Sequence, residues 1–111
     1  MSSFCHFEEA QDNPDFQGVL DITPEAVKEQ MDKLKLVDVR RPDEYTGDLG
    51  HISGAELITL DEIPQRIQDL PKDKTIVFIC RSGRRSAQAA TFAKENGLDN
   101  VYNMLGGMIL W

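Results

Sequence analysis

Apolar positions along the chain switch between short β-branched runs and stretches with helical spacing. Residues 19–22 predict a short strand. Thr23 then stands as a helix cap with Pro24 in the first helical position, where a missing N–H leaves no bond unmade. Val27, Met31 and Leu34 recur at spacings of four and three, which predicts one helix with a buried stripe. Residues 36–39 read as a buried strand stopped by Arg41, Pro42 and Asp43, and residues 45–54 as a loop punctuated by Gly47, Gly50 and Gly54. Residues 55–59 predict a further strand. A helix follows with Ile63, Ile67 and Leu70 on its buried face. Thr59 and Glu62 have capping-box spacing, but Pro64 would then remove an interior hydrogen bond, so Asp61 is the expected cap.

The run over residues 75–79 is β-branched and almost wholly apolar, as expected of a central parallel strand, and Cys80 ends it. From 84 to 96 the pattern is helical, with Ala87, Ala90 and either Phe92 or Ala93 available to pack. Gly97 fits the left-handed cap and Leu98 the apolar contact beyond it. Residues 101–105 predict the last strand. Gly106 and Gly107 follow, and the fragment to Trp111 is too short to make a stable helix alone. Residues 1–17 are polar and unpatterned, with a turn cluster over 12–15. They read as an N-terminal extension to a domain over 18–111. Strands alternate with helices, so the expected fold class is α/β: a three-layer domain with a mostly parallel central sheet flanked by helices, its site at the carboxyl ends of strands.

Composition narrows the function. A chain of 111 residues, 41% hydrophobic, fits one compact domain that requires no disulfide or metal staple. No apolar run approaches the roughly 20 residues of a membrane span, and residues 1–10 lack the basic start and apolar block of a secretory signal, so the cytoplasm is the expected compartment. A net charge of −7 argues against nucleic-acid binding. The charge is uneven: residues 1–79 hold 8 basic and 17 acidic side chains, whereas residues 80–111 hold 4 and 2. The one basic cluster, Arg81, Arg84 and Arg85, has no acid within it and begins beside Cys80, which points to a small anion as partner. The two cysteines, Cys5 and Cys80, are too few for a disulfide framework, and no metal-ligand spacing is present.

A central strand ending in Cys80, followed by Arg81, Ser82, Gly83, Arg84, Arg85, Ser86 and a helix, sets a thiol where loop N–H groups and a helix N-terminus converge. An ordinary cysteine has a pKa near 8.5 and is only about 3% thiolate at pH 7, so a working nucleophile needs stabilisation of about 2.7 kcal/mol. The helix dipole supplies about 1–2 kcal/mol. Hydrogen bonds to a charged sulfur, about 1.5–3 kcal/mol each, supply the rest. A cysteine ending an apolar strand is commonly mere packing. Three arginines and a glycine directly after it have no use in a core, and they favour a reactive thiol.

Four ordered stretches carry a resemblance: LVDVRRPDEY at 36–45, GHISGA at 50–55, CRSGRRS at 80–86 and NMLGGMILW at 103–111. Over residues 18–111 the chain resembles the rhodanese family of sulfurtransferases. The resemblance implies the rhodanese α/β fold and a thiosulfate sulfurtransferase reaction in which Cys80 takes a sulfane sulfur from thiosulfate or a related donor. The Cys80 persulfide would pass it to cyanide or a thiol, including a thioredoxin-like protein. Residues 81–86 would bind the substrate anion, with Arg81, Arg84 and Arg85 attracting and orienting it. No metal or organic cofactor is implied. Family members usually continue into a final helix beyond the glycine pair, which leaves open a truncation after Trp111 or a different closure. Two alternatives stand beside this reading. One is a non-enzymatic rhodanese-like binding or regulatory module. The other is a cysteine phosphatase or arsenate reductase, which would place Arg where this chain has Ser86.

Other residues read as scaffold. Asp38 and Arg40 end a strand on the same sheet edge as Cys80 and are expected to form a structural ion pair or turn anchor. Glu44 and His51 are expected to support the turn, Cys5 to be a bystander, and Met108 and Trp111 to pack at the chain end.

Overall fold

The computed structural model describes residues 7–111, so Cys5 and His6 lie outside the described residues. Strands β1 (Gln11–Asp12), β2 (Leu20–Ile22), β3 (Leu34–Asp38), β4 (Glu56–Leu57), β5 (Thr75–Ile79) and β6 (Val101–Met104) form one sheet in the order β1-β2-β6-β5-β3-β4. Every pairing is parallel except β1 with β2. β5 is central because all five of its side chains are buried, and only a strand covered on both faces tolerates so continuous an apolar run. Its side chains alternate between two cores. Ile76, Phe78 and Cys80 face α3 (Ile63–Arg66) and α4 (Arg84–Glu95), while Val77 and Ile79 face α1 (Pro24–Gln30) and α5 (Gly107–Leu110). The architecture is the expected three-layer α/β sandwich.

The helix ends follow their caps. Thr23 Oγ1 accepts from the Ala26 N–H at 3.1 Å, with Pro24 in the first turn. Gly97, at φ +91°, closes α4, where the Gly97 and Leu98 N–H groups return to Lys94 O and Ala93 O. Four details differ from the sequence reading. Leu34 leaves the α1 stripe to open β3, because a 3-10 turn over Met31–Lys33 ends the helix first. The segment before Ile63 is capped by Thr59, not Asp61. A 3-10 turn over Leu60–Glu62 precedes α3, and the Thr59 N–H donates to Glu62 Oε1 at 3.2 Å. That division leaves Pro64 in the first turn of α3, where it costs no bond. Residues 42–45, read as a stop and loop, form a one-turn helix, α2 (Pro42–Tyr45), at whose start the N–H of the cap residue Arg41 donates to the Glu44 carboxylate at 3.2 Å. Finally, Gln11–Asp12, within the polar N-terminal stretch, adds the antiparallel edge strand.

At the end of β3 lies a buried ion pair. Arg40 is 1% exposed and Asp38 fully buried. Arg40 Nη2 and Nε donate to the Asp38 carboxylate at 2.7 and 2.9 Å. Nη2 and Nη1 also donate to Gly50 O at 2.7 Å and Glu44 O at 3.2 Å. One guanidinium thus holds both ends of the 44–50 loop against the strand. Replacing Arg40 with Ala strands a carboxylate in the interior and is expected to cost about 3–5 kcal/mol. That is a large share of the roughly 5–15 kcal/mol that holds such a domain together. Urea unfolding checks it, and a loss below about 1 kcal/mol would contradict the anchoring role.

Candidate active site

β5 delivers Cys80 to its carboxyl end, and α4 begins four residues later. The intervening turn closes only because Gly83 takes φ +105°, a conformation that L side chains resist. In that turn the Gly83 N–H donates to Cys80 Sγ at 3.0 Å, and the fully buried Ser86 hydroxyl lies 3.2 Å from it. Among the described residues, then, the sulfur meets one amide and one hydroxyl at the N-terminus of a 12-residue helix. Cys80 itself is 1% exposed.

The loop carbonyls are held from behind. The Met108 N–H donates to Cys80 O at 2.8 Å and the Ile109 N–H to Arg81 O at 3.0 Å. This contact needs Gly107, because a Cβ there would lie 2.3 Å from Cys80 O. The two bonds fix the peptide units between Cys80 and the turn whose Gly83 N–H meets the sulfur.

The three arginines expected to orient an anion separate in the structure. Arg81 is exposed. Arg84 is 72% exposed, 3.8 Å from Asp15 and stacked 5.6 Å over the Phe16 ring, so the N-terminal segment touches the loop. Arg85 is committed elsewhere. Its Nη1 and Nη2 donate to the two Glu44 oxygens at 2.7 and 2.8 Å, a fork that joins α2 to the first turn of α4. That hydrogen bond holds Glu44 well below the usual carboxylate range, at about 2, and raises Arg85 above its own usual range, with smaller contributions from the neighbouring Cys80 and Asp38. Ser82 is exposed at the loop tip.

Sequence reasoning missed two residues of this neighbourhood. The Ser86 hydroxyl also bonds Asn103 Oδ1, and Asn103 Nδ2 donates to Asp21 Oδ1 at 2.9 Å. The available signal was a polar residue inside each of two short apolar strands. His51 stacks on Tyr45 at 3.8 Å and sets Nδ1 2.9 Å from Tyr45 O, as scaffold. Among the described residues no group of three or more His, Cys, Asp and Glu is placed to hold a metal. Likewise no helix is long and apolar enough to cross a membrane.

The family model described as Rhodanese-like domain matches residues 23–111. The chain belongs to that family. A sulfurtransferase of Allochromatium vinosum is 41% identical over 76 residues, covering 68% of this chain and 69% of that protein. A thiosulfate sulfurtransferase of Pseudoalteromonas translucida is 34% identical over 85 residues, covering 75% and 79%. The crystal structure of a rhodanese-like domain protein from Staphylococcus aureus superposes with a TM-score of 0.74 at 32% identity, over 82% of this chain and 89% of that one. Other relatives are longer, and this chain spans 24% of the length of two of them.

The depressed Glu44 carboxyl links stability to pH. A lowered acid contributes stability that is complete above its unfolded value near 4.5 and is lost as pH falls through about 2. Glu44→Gln is therefore expected to be less stable than wild type at pH 7, and the gap is expected to close between pH 4.5 and 2. Urea titrations at both ends of that window test this. A gap that widens in acid would remove the fork from the account.

Proposed function

We propose that this protein is a sulfurtransferase that carries a sulfane sulfur on Cys80. The observation that carries the reading is the meeting of Sγ with the Gly83 N–H and the Ser86 hydroxyl at the N-terminus of α4. Those donors can stabilise a thiolate, and the helix adds the positive end of its dipole.

In the first half-reaction the Cys80 thiolate attacks the outer sulfur of thiosulfate. A new S–S bond forms on Sγ, the donor S–S bond breaks, and sulfite leaves with the electron pair. The negative charge then rests on the outer sulfur of the persulfide, about 2 Å beyond Sγ. In the second half-reaction cyanide or a thiolate, that of a thioredoxin-like protein included, attacks the outer sulfur. The S–S bond breaks and Cys80 leaves as thiolate. Charge and atoms balance without an added oxidant.

Two further points support thiosulfate as donor: the similarity to the thiosulfate sulfurtransferase of Pseudoalteromonas translucida, and the exposed cations Arg81 and Arg84 beside the loop, which suit a dianion. Arg85 acts differently, through Glu44, by fixing the first turn of α4. Ser82, Gly83 and Ser86 complete the substrate loop.

Intact mass after thiosulfate treatment is expected to rise by one sulfur atom on Cys80 and to fall back on addition of cyanide. Cys80→Ala is expected to abolish both changes and the release of thiocyanate. A folded wild type that never gains the sulfur would favour the non-enzymatic binding module instead.

Replacing Arg81 and Arg84 together with Ala is expected to raise the thiosulfate KM about threefold to tenfold with a smaller fall in kcat, because exposed charges act by long-range attraction. The wild-type KM should also climb with salt more steeply than that of the variant. Steady-state kinetics at two ionic strengths decide the point, and a defect confined to kcat would reject it.

A further inference from the structure

Asp21 in β2 and Asn103 in β6 are polar residues inside apolar strands, 5% and 1% exposed, and the parallel register sets them opposite each other. A continuous hydrogen-bonded line joins them to the thiol. It runs from Cys80 Sγ to the Ser86 hydroxyl, on to Asn103 Oδ1, and from Asn103 Nδ2 to Asp21. Asn13 braces the far end. Its Nδ2 donates to both Asp21 oxygens, at 3.0 and 3.2 Å. Its own Oδ1 accepts the Asp15 and Phe16 N–H groups at 2.8 and 3.0 Å.

Chemistry fixes the direction of this line from the Asp21 end. A carboxylate only accepts, so the Asn103 amide must turn its NH2 to Asp21 and its carbonyl to Ser86. The single Ser86 hydroxyl proton is drawn to that carbonyl. Ser86 Oγ then offers Cys80 a lone pair, which suits an S–H but not an anionic sulfur. Asn103 Oδ1 and a Cys80 thiolate therefore compete for one proton.

We propose that Asn103, held by Asp21, is a positioning residue that draws the Ser86 hydroxyl away from Cys80 and so restrains thiolate formation in the resting enzyme. The inference rests on the sulfur-transfer reading of Cys80. In each half-reaction the hydroxyl turns to Sγ while charge is there and back to Asn103 once the charge has moved to the outer sulfur. The other charges around Cys80 are Arg81, Arg84 and Arg85 of the loop and α4, the last committed to Glu44 of α2, and Asp38 of β3, committed to Arg40. α5 carries no titratable side chain, and its Met108 and Ile109 N–H groups are bonded to the Cys80 and Arg81 carbonyls. Substituting Asn103 or Ser86 changes none of these charges.

The test is the rate of Cys80 alkylation by iodoacetamide across pH, in a Cys5→Ser background that leaves one thiol. Asn103→Ala is expected to shift the profile to lower pH and to speed alkylation at pH 7 about threefold. Roughly tenfold more thiolate is offset by the weaker nucleophilicity of a less basic sulfur. Ser86→Ala is expected to shift the profile to higher pH. The double variant is expected to match Ser86→Ala, because Asn103 acts only through that hydroxyl. Asp21→Asn, nearly isosteric, should move in the direction of Asn103→Ala and serves if that variant does not fold. Profiles of Asn103→Ala or Asp21→Asn that stay in place or shift to higher pH would overturn the proposal. So would an Asn103→Ala effect that persists without Ser86. Alkylation reads the thiol alone, so a wild type that fails to take sulfur from thiosulfate defeats the sulfur-transfer reading without altering these profiles.

Discussion

The buried Asp38–Arg40 ion pair is the constraint from which the geometry around Cys80 is built. Withdrawing two charges from water is costly, and a pair of this kind persists only where good geometry and further hydrogen bonds offset the cost. Here the guanidinium spends its surplus donors on Gly50 O and Glu44 O, which sets α2 at the carboxyl end of the sheet. Glu44 is then in reach of Arg85, and the fork between them fixes the first turn of α4. A charge pair at the tip of β3 thereby determines where the helix N-terminus behind Cys80 points. Neither Asp38 nor Arg40 has a hydrogen bond to the sulfur, yet both act on it through this succession of rigid contacts.

The other side of the loop is fixed by shape. Gly107 lets the last turn approach the Cys80 and Arg81 carbonyls closely enough for two N–H groups to bind them. Those bonds fix the two peptide units that lead from Cys80 into the Gly83 turn, so the GGM segment and the cysteine loop are two halves of one device. Their separation of more than twenty residues along the chain hides this from any local reading.

What the sequence made legible was what depends on local periodicity and special residues. The apolar run at 75–79, the helix from Arg84 and the Gly97 cap each follow from side-chain spacing or from a backbone conformation that only glycine takes easily, and the structure has all three. Short elements were harder. α2 and the turn at Leu60–Glu62 are each held by a single glutamate reaching back to a backbone N–H. The Thr59–Glu62 spacing is legible in the sequence, but Pro64 argues against it for an unbroken helix, and the break before Ile63 is not legible there. Arg85 shows the limit most plainly. Its place in CRSGRRS suggests a substrate cation, but its charge is matched by an acid forty-one residues earlier, and only the fold brings them together.

The same limit explains why Asn103 and Asp21 passed for strand residues. A polar side chain inside a short strand is ambiguous, because alternation allows it to face solvent. Here the parallel register of β2 with β6 turns both inward, and Asn13 closes the cluster from the N-terminal segment. Burial then removes the ambiguity that the sequence leaves. A buried carboxylate, amide and hydroxyl in one line, with the half-buried Asn13 at its end, admit few arrangements of their protons, and the one that satisfies Asp21 leaves Ser86 facing Cys80 with a lone pair. The chemistry of the sulfur is thus coupled to residues that never touch it. That coupling distinguishes a thiol in a donor-rich loop from one whose donor must first be released.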